Sequence, residues 1–424
     1  MGAEETTEPR TDATPADGLH VQLDAPLPPE IAVGAGTALF VCGTAYSPLA
    51  PIVALELLVD GLPQPLLAHG MPRLDTLRAL HPGLDPYATR DVDRDPASVE
   101  DPLLTSYRSG FWGFARLAPR PGARTRAIGL RARLEDGGSA TATLSEPSVA
   151  APVAAVELPQ PPPSVAICMA TFDPPAALLE RQITSIRAQS HRDWVCIVSD
   201  DASDPRRFAD LEAMVAGDPR FVVSRSSRRL GFYRNFERAL ALVPAGVRHV
   251  ALADQDDVWH ADKLTALLAA LGDARLVYSD ARVIGRDGTI RSETYWGRRR
   301  NNHADLGSLL VANAVTGAAS LFPRDLLDDA LPFPPAQFAH FHDHWLGVVA
   351  RATGTIRYVD RPLYDYVQHG TATLGHDRAN LMPSLRERFD AVRRDPRERV
   401  RMWRMHYFVD VCRLLQFTAV LRLR

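Results

Sequence analysis

The distribution of apolar and polar positions divides the chain at a proline-rich segment, residues 158–163. Before this segment, short apolar runs alternate with Gly-rich turns, a pattern that predicts antiparallel strands. We expect an all-β, immunoglobulin-like sandwich over residues 21–157, preceded by a disordered tail over residues 1–20 that is rich in Glu, Thr, Pro and Asp. The predicted strands are 38–42, 53–59, 111–117, 125–134 and 140–144.

The prolines of residues 158–163 fit neither a helix nor a central strand, so we interpret the segment as a stiff linker. Over residues 164–375 strands and helices then alternate, which predicts a parallel α/β sheet with ligands at the carboxyl ends of its strands. The predicted strands are 165–170, 194–199, 221–224 and 249–253, and the predicted helices are 176–189, 208–215 and 232–242.

Residues 376–424 are Arg-rich and amphipathic, and we expect a C-terminal helical extension there. Two interpretations stay open for it. The last helix packs on the α/β domain, or its basic amphipathic face makes a peripheral contact with anionic lipid.

Carboxylates follow the predicted strands at the ends where ligands bind. Asp254, Asp256 and Asp257 come directly after strand 249–253. Thr171 and Asp173 follow strand 165–170, and Asp200 and Asp201 follow strand 194–199. Carboxylates so close together repel one another unless a hard divalent cation neutralises them. The alternative is a solvated acidic turn whose Asp257 or Asp262 caps the next helix.

Composition adds little to this picture. The chain has 424 residues, is 46% hydrophobic and carries a formal charge of -3, which gives no general argument for nucleic-acid binding. Its four cysteines are scattered, and no signal peptide or membrane-spanning run is evident. We therefore expect a cytoplasmic protein with free thiols. Lys263 is the only lysine, which we attribute to genome composition.

These motifs, taken in order, resemble those of family 2 glycosyltransferases with the GT-A fold, in particular bacterial rhamnosyltransferases. The resemblance covers about residues 164–374 and rests on the set rather than on any one member. The motifs are Thr171-Phe172-Asp173, Asp200-Asp201-Ala202-Ser203, Leu230-Gly231-Phe232-Tyr233-Arg234-Asn235, Asp254-Gln255-Asp256-Asp257-Val258-Trp259 and His342-Asp343-His344-Trp345.

The resemblance implies an inverting hexosyltransferase that needs Mg²⁺ or Mn²⁺. It gives Asp343 the role of general base and Asp254 and Asp256 the role of holding the donor ribose and the cation. His369 would complete the metal shell or meet the diphosphate. The remaining implied donor contacts are Thr171, Asp173, Asp200, Asp201, Asp257 and Gly317.

Asp343 has a second, independent argument. It stands between His342 and His344 and beside Phe341 and Trp345, a setting that can tune its basicity and stack a sugar ring. The alternative is that Asp343 caps the amino terminus of a helix.

The resemblance also implies the substrates. The donor would be dTDP-rhamnose or a UDP-sugar, and the acceptor a hydroxyl of a glycan, a lipid-linked molecule or a natural product. The Gln-x-x-Arg-Trp motif of processive members is not visible, which favours addition of a single sugar in polysaccharide or cell-envelope synthesis. Two alternatives remain: a sugar nucleotidyltransferase, or a non-catalytic sugar-binding scaffold on a degenerate core.

Overall fold

The computed structural model describes residues 11–12, 18–82, 84, 101–296, 301–368 and 408–424, together with Arg393, Arg397 and Val400. The chain forms two compact units. The first consists of Met1–Ala151 and Thr418–Arg424, and the second of Pro152–Phe417. The division thus lies before the proline-rich segment, because residues 152–163 belong to the second unit. There Val156 N–H donates to the Leu242 carbonyl at 2.9 Å.

The first unit is a two-layer β structure. One sheet has the order β1-β2-β4-β8-β7, the other the order β10-β9-β5-β6, and β11 pairs with β3. The strands are β1 (Thr11–Asp12), β2 (His20–Leu23), β3 (Glu30–Ile31), β4 (Thr37–Tyr46), β5 (Ile52–Val59), β6 (Leu62–Pro65), β7 (Ala68–Met71), β8 (Gly110–Leu117), β9 (Ile128–Leu134), β10 (Ser139–Ser145) and β11 (Ser148–Val149). Helix α1 (Leu74–Leu80) and a 3₁₀ turn (Thr105–Arg108) lie between β7 and β8.

Alternating side chains of both sheets form one hydrophobic core, which is what makes this unit a sandwich. Leu39, Leu57 and Leu130 are fully buried in it. The hairpin from β5 to β6 turns at Asp60 and Gly61, both with positive φ, as the Asp-Gly pair predicts.

The second unit is an α/β structure around one mixed sheet. Its strands are β12 (Val165–Thr171), β13 (Trp194–Asp200), β14 (Phe221–Arg225), β15 (His249–Ala253), β16 (Val258–Trp259), β17 (Leu276–Gly285), β18 (Ile290–Ser292), β19 (Ser320–Pro323) and β20 (Ile356–Gln368). Its helices are α2 (Ala176–Arg187), α3 (Pro205–Val215), α4 (Phe232–Ala241), α5 (Lys263–Leu271), α6 (Leu306–Val311), α7 (Leu326–Ala330) and α8 (His342–Thr353), with a 3₁₀ turn at Gly317–Ala319.

The sheet has the order β14-β13-β12-β15-β19-β17-β20-β16, with β18 on β17. The first four strands are parallel, as the alternating pattern predicts. The expectation of a parallel sheet is wrong at β19, which runs antiparallel to both β15 and β17, whereas β17 and β20 are again parallel. Strand periodicity records burial but not direction, so the sequence does not reveal this reversal.

Helix α9 (Val411–Leu421) closes the described chain. Its Cys412, Gln416 and Phe417 are buried, and the Phe417 ring lies 5.0 Å from the Trp345 ring of α8. This contact agrees with the packing interpretation of the C-terminal helix. Among the described helices, none is both long and apolar enough to cross a membrane.

Candidate active site

Three predicted strand ends lie side by side at one edge of the sheet. β12 lies between β13 and β15, with Thr171 opposite Asp200 and Met169 opposite Ala253. The residues that follow these strands therefore share one crevice.

The first group in this crevice is centred on Asp200, which is fully buried. Its carboxylate accepts hydrogen bonds from Thr171 Oγ1 at 3.1 Å and from the Ser203 amide at 3.0 Å and hydroxyl at 2.5 Å. Thr171 and Asp200 thus fix the loop after β13, and the protein itself already engages both oxygens of Asp200.

Asp201 fixes the segment before α4 in a similar way. Its two carboxylate oxygens accept from the amides of Leu230 at 2.5 Å and Gly231 at 2.9 Å, directly before α4.

Asp173 is the exposed member of the group. It accepts from the Asp204 amide at 2.7 Å and lines a cavity of about 470 Å³ together with Arg206 and Arg207.

Gln255 links this group to the Asp254 segment. Its side chain accepts from the Phe172 amide at 2.8 Å and donates to the Phe172 carbonyl at 3.2 Å. The backbone after β12 is thereby fixed to the backbone after β15, which explains the glutamine between the two aspartates.

The second group consists of Asp254, Asp256 and Asp257. Burial, with repulsion from Asp256 and Asp343, raises the pKa of Asp254 to about 7. Burial also raises the pKa of Asp257 well above its ordinary value, and the charges of Asp254 and Asp256 add to this. Asp257 Oδ1 accepts from the Val367 amide at 3.3 Å, whereas within the described residues Oδ2 has no hydrogen-bond partner. Negative charge on Asp254 and Asp257 is therefore unfavourable unless a cation offsets it.

Asp343 lies in the first turn of α8 and not at its cap, which is Phe341. Its carboxylate accepts from the His344 amide at 2.7 Å and the Gly317 amide at 3.2 Å, and the Asn313 side chain also bonds to it. Burial nevertheless raises the pKa of Asp343 to about 6. A carboxyl with this pKa is a competent base near neutral pH.

Gly317 contacts α8 closely. A Cβ at this position would lie 2.5 Å from His342 Nε2 and 3.4 Å from Asp343 Cβ. His342 has little room to move, because its ring stacks on Phe236 at 3.7 Å. The glycine therefore allows its own amide to reach Asp343.

Trp345 and the two histidines differ from the sequence-based expectation. Trp345 is fully buried and donates to the Ala330 carbonyl at 2.9 Å, so it is a core residue and stacks no sugar. His344 Nε2 is hydrogen-bonded to the Leu309 carbonyl at 2.5 Å. Burial lowers the pKa of His342 to about 3 and that of His344 to about 4, so both rings are neutral. Neighbours in sequence around Asp343 thus point into the core, since a helix directs successive side chains to different faces.

Sequence reasoning gave Lys263 no role at the site. It is fully buried at the start of α5, with its Nζ 3.6 Å from the Trp259 ring centre. Burial lowers the pKa of Lys263 well below its ordinary value, while Asp257 and Asp254 act in the opposite direction. The sequence signal for such a role is that a chain with 48 Lys and Arg residues in total has its only lysine here.

A divalent cation is compatible with the carboxylate group. Within the described part of the chain, no set of three or more His, Cys, Asp or Glu side chains is arranged to hold a metal ion. Mg²⁺, however, commonly uses one or two carboxylates together with substrate phosphates and water. The unpaired Asp257 Oδ2 and the raised pKa of Asp254 fit such a partial site. His369, the other predicted ligand, lies outside the described residues.

The chain matches several known proteins. An uncharacterised protein of Sinorhizobium fredii, y4gI, is 30% identical over 132 residues, which are 30% of this chain and 14% of that protein. Among solved structures, residues 1–349 of S. aureus TarS with UDP-GlcNAc align with a TM-score of 0.40 and 14% identity, covering 50% of this chain and 60% of that one. The same TarS segment with UDP gives a TM-score of 0.39, 15% identity and coverages of 48% and 60%.

The chain thus spans 14% of y4gI and 60% of the TarS segment, which is less than two thirds of each. The family model described as Glycosyl transferase family 2 matches residues 166–331, which run from β12 through α7. This segment contains all three strand ends of the crevice, on the sheet expected for a GT-A core. Residues 166–331 are therefore similar to family 2 glycosyltransferases, a match over less than half of the chain.

Proposed function

We propose that the protein transfers one sugar, with inversion, from a nucleotide-diphosphate donor to a hydroxyl group of a glycan, lipid-linked or small-molecule acceptor. The observation that carries this proposal is the state of Asp343. Burial raises its pKa to about 6, so it can act as a base, and it interacts electrostatically with Asp254. Asp254 is one of the strand-end carboxylates in the segment that matches the family 2 model.

In the proposed reaction the acceptor oxygen attacks the anomeric carbon from the face opposite the leaving diphosphate. The new C–O bond forms as the bond from C1 to the diphosphate oxygen breaks, and that oxygen keeps the electron pair. Asp343 accepts the proton of the acceptor hydroxyl. One displacement of this kind inverts the anomeric configuration.

On the donor side we assign Asp173 to the nucleotide, because it is exposed beside a cavity and Arg206 and Arg207 share that cavity. Thr171, Asp200 and Asp201 support the same loops from within. Asp254 and Asp256 would hold Mg²⁺ or Mn²⁺, with Asp257 and Gly317 towards the donor sugar. The cation, when bound, offsets the charge that develops on the departing nucleoside diphosphate.

We retain dTDP-rhamnose or a UDP-sugar as donor, and single addition in cytoplasmic polysaccharide or cell-envelope synthesis as the setting. For the C-terminal helix we favour packing over lipid contact, because its Cys412, Gln416 and Phe417 are buried.

A substitution of the base tests the catalytic proposal. Asp343→Asn should lower kcat by about 10²- to 10⁴-fold, since a positioned general base contributes about that much. Nucleotide affinity should stay the same. The matched control is Asp273→Asn, whose side chain is 87% exposed in the same unit. Turnover by Asp343→Asn at the rate of the control would remove Asp343 from the mechanism.

Thermal shifts with UDP, dTDP, GDP and CDP, each with and without Mn²⁺, test the donor and the cation. A ligand that binds only the folded state stabilises it by about 2.7 kcal/mol at a hundredfold excess over its Kd. We expect one base to be preferred, with a shift that requires Mn²⁺ and is lost in Asp256→Ala. No shift with any nucleotide would favour a degenerate, non-catalytic core.

A further inference from the structure

Lys263 is an exceptional residue in this chain. It is the only lysine, and its relative exposure is 0%. A lysine normally extends its ammonium group into water and is fully buried only when other groups compensate the charge. The groups around it therefore have to account for its position.

Two aromatic rings and one carbonyl contact the ammonium group. Nζ lies 3.6 Å from the centre of the Trp259 ring and 4.7 Å from that of Tyr364. The two rings belong to directly opposed residues of β16 and β20. Ring faces attract cations, most strongly where water is excluded. Nζ also donates to the carbonyl of Ala318.

Ala318 joins this lysine to the proposed base. It follows Gly317, whose amide donates to Asp343 Oδ2. The turn that contains both residues is thus held by Lys263 on one side and contacts α8 on the other. Lys263 also interacts electrostatically with Asp257, which is fully buried, and with Asp254.

We infer that Lys263 is a positioning residue of the active site. Its Nζ lies buried against the rings of Trp259 and Tyr364 and, through the Ala318 carbonyl, anchors the turn that orients Asp343. Its effect on turnover rests on the proposed function, whereas its burial between the rings of Trp259 and Tyr364 does not.

The single lysine allows a direct spectroscopic test. Protein labelled with ¹³C-lysine, with any tag free of lysine, has one ε-methylene NMR signal. We expect this signal to lie upfield of that of free lysine, because the Trp259 and Tyr364 rings shield it. A signal at the position of free lysine would mean that the side chain reaches solvent and would overturn the inference.

Turnover separates positioning from plain structural support. In Lys263→Met we expect kcat to fall roughly tenfold to a hundredfold at saturating substrates, with little change in donor KM. Lys263→Gln keeps a donor for the Ala318 carbonyl and should recover part of kcat. Unchanged kcat in a folded Lys263→Met would refute the positioning role, whereas an inactive wild type would count against the proposed function.

Discussion

At the scale of single residues, the environment of Asp343 determines its chemistry. Two backbone amides favour its charged form, yet burial outweighs them and raises its pKa to about 6. A general base must be deprotonated to act. We therefore expect kcat/KM at saturating cation to rise with pH through about 6 and then level off. A pH–rate profile of the wild type checks this, and an acid limb near pH 4 would contradict it.

Gly317 is a second residue whose neighbours decide its role. In Gly317→Ala the new Cβ would lie 2.5 Å from the buried His342 ring, so the turn has to move away from α8. We expect a loss of about 1–3 kcal/mol in the free energy of unfolding and a lower kcat. Gly307→Ala is the control, because the Cβ there would meet only Asp305 Oδ1, at 3.4 Å. Equal stability of the two variants in urea unfolding would contradict this account.

At the scale of elements, the end of β15 makes the protein's stability depend on pH. The folded pKa of Asp254, about 7, lies above its ordinary 3.8. Its contribution to stability is therefore fully present below about pH 4 and is lost as the pH rises through 7. Without metal, Asp254→Asn should be more stable than wild type at pH 8, by on the order of 2 kcal/mol, and should lose this advantage towards pH 4.

Urea unfolding of both proteins in EDTA at pH 4 and pH 8 measures this effect. Asp273→Asn, on a side chain that is 87% exposed, is the control substitution. An advantage for Asp254→Asn that is the same at both pH values would show that its cause is packing and not charge.

The residue after β13 also holds the amino-terminal end of α4 through hydrogen bonds. The Asp201 carboxylate accepts hydrogen bonds from the amides of Leu230 and Gly231, and α4 starts one residue later. Asp201→Ala leaves both amides without their acceptor and should cost about 1–3 kcal/mol of stability. Asp201→Asn keeps one acceptor oxygen and should lose less. Amide hydrogen exchange at Leu230 and Gly231 should speed up in the same order, and unchanged exchange would contradict the role.

At the scale of the whole molecule, the last residues of the chain complete the first unit. Val420 is fully buried, and Arg424 Nε donates to the Gly36 carbonyl at 3.0 Å. We expect Val420→Asp to destabilise the protein by on the order of 3 kcal/mol, because it buries an unpaired charge. Val411→Asp, at a 37% exposed position of the same helix, should change stability by no more than about 0.5 kcal/mol. Equal unfolding midpoints would contradict this assignment.

Much of the fold follows from local pattern. The strand predicted at 249–253 has the observed bounds His249–Ala253, and most other elements differ by a few residues at their ends. Alternation, turn residues and helical periodicity are local properties, so the sequence carries them directly. The antiparallel β19 and the membership of Thr418–Arg424 in the first unit depend on contacts between distant residues, which leave no local signal.

For the site, the sequence alone determined the chemistry: carboxylates at three strand ends, and an aspartate among histidines. How those groups are used depends on contacts between residues that are distant in sequence. In the folded protein the carboxylates of Asp200 and Asp201 accept hydrogen bonds from backbone amides. Trp345 is buried in the core, and Lys263 contacts the turn that holds Asp343. The physical reason is that residue type fixes what a side chain can donate or accept, whereas burial and long-range neighbours fix its charge and its partner.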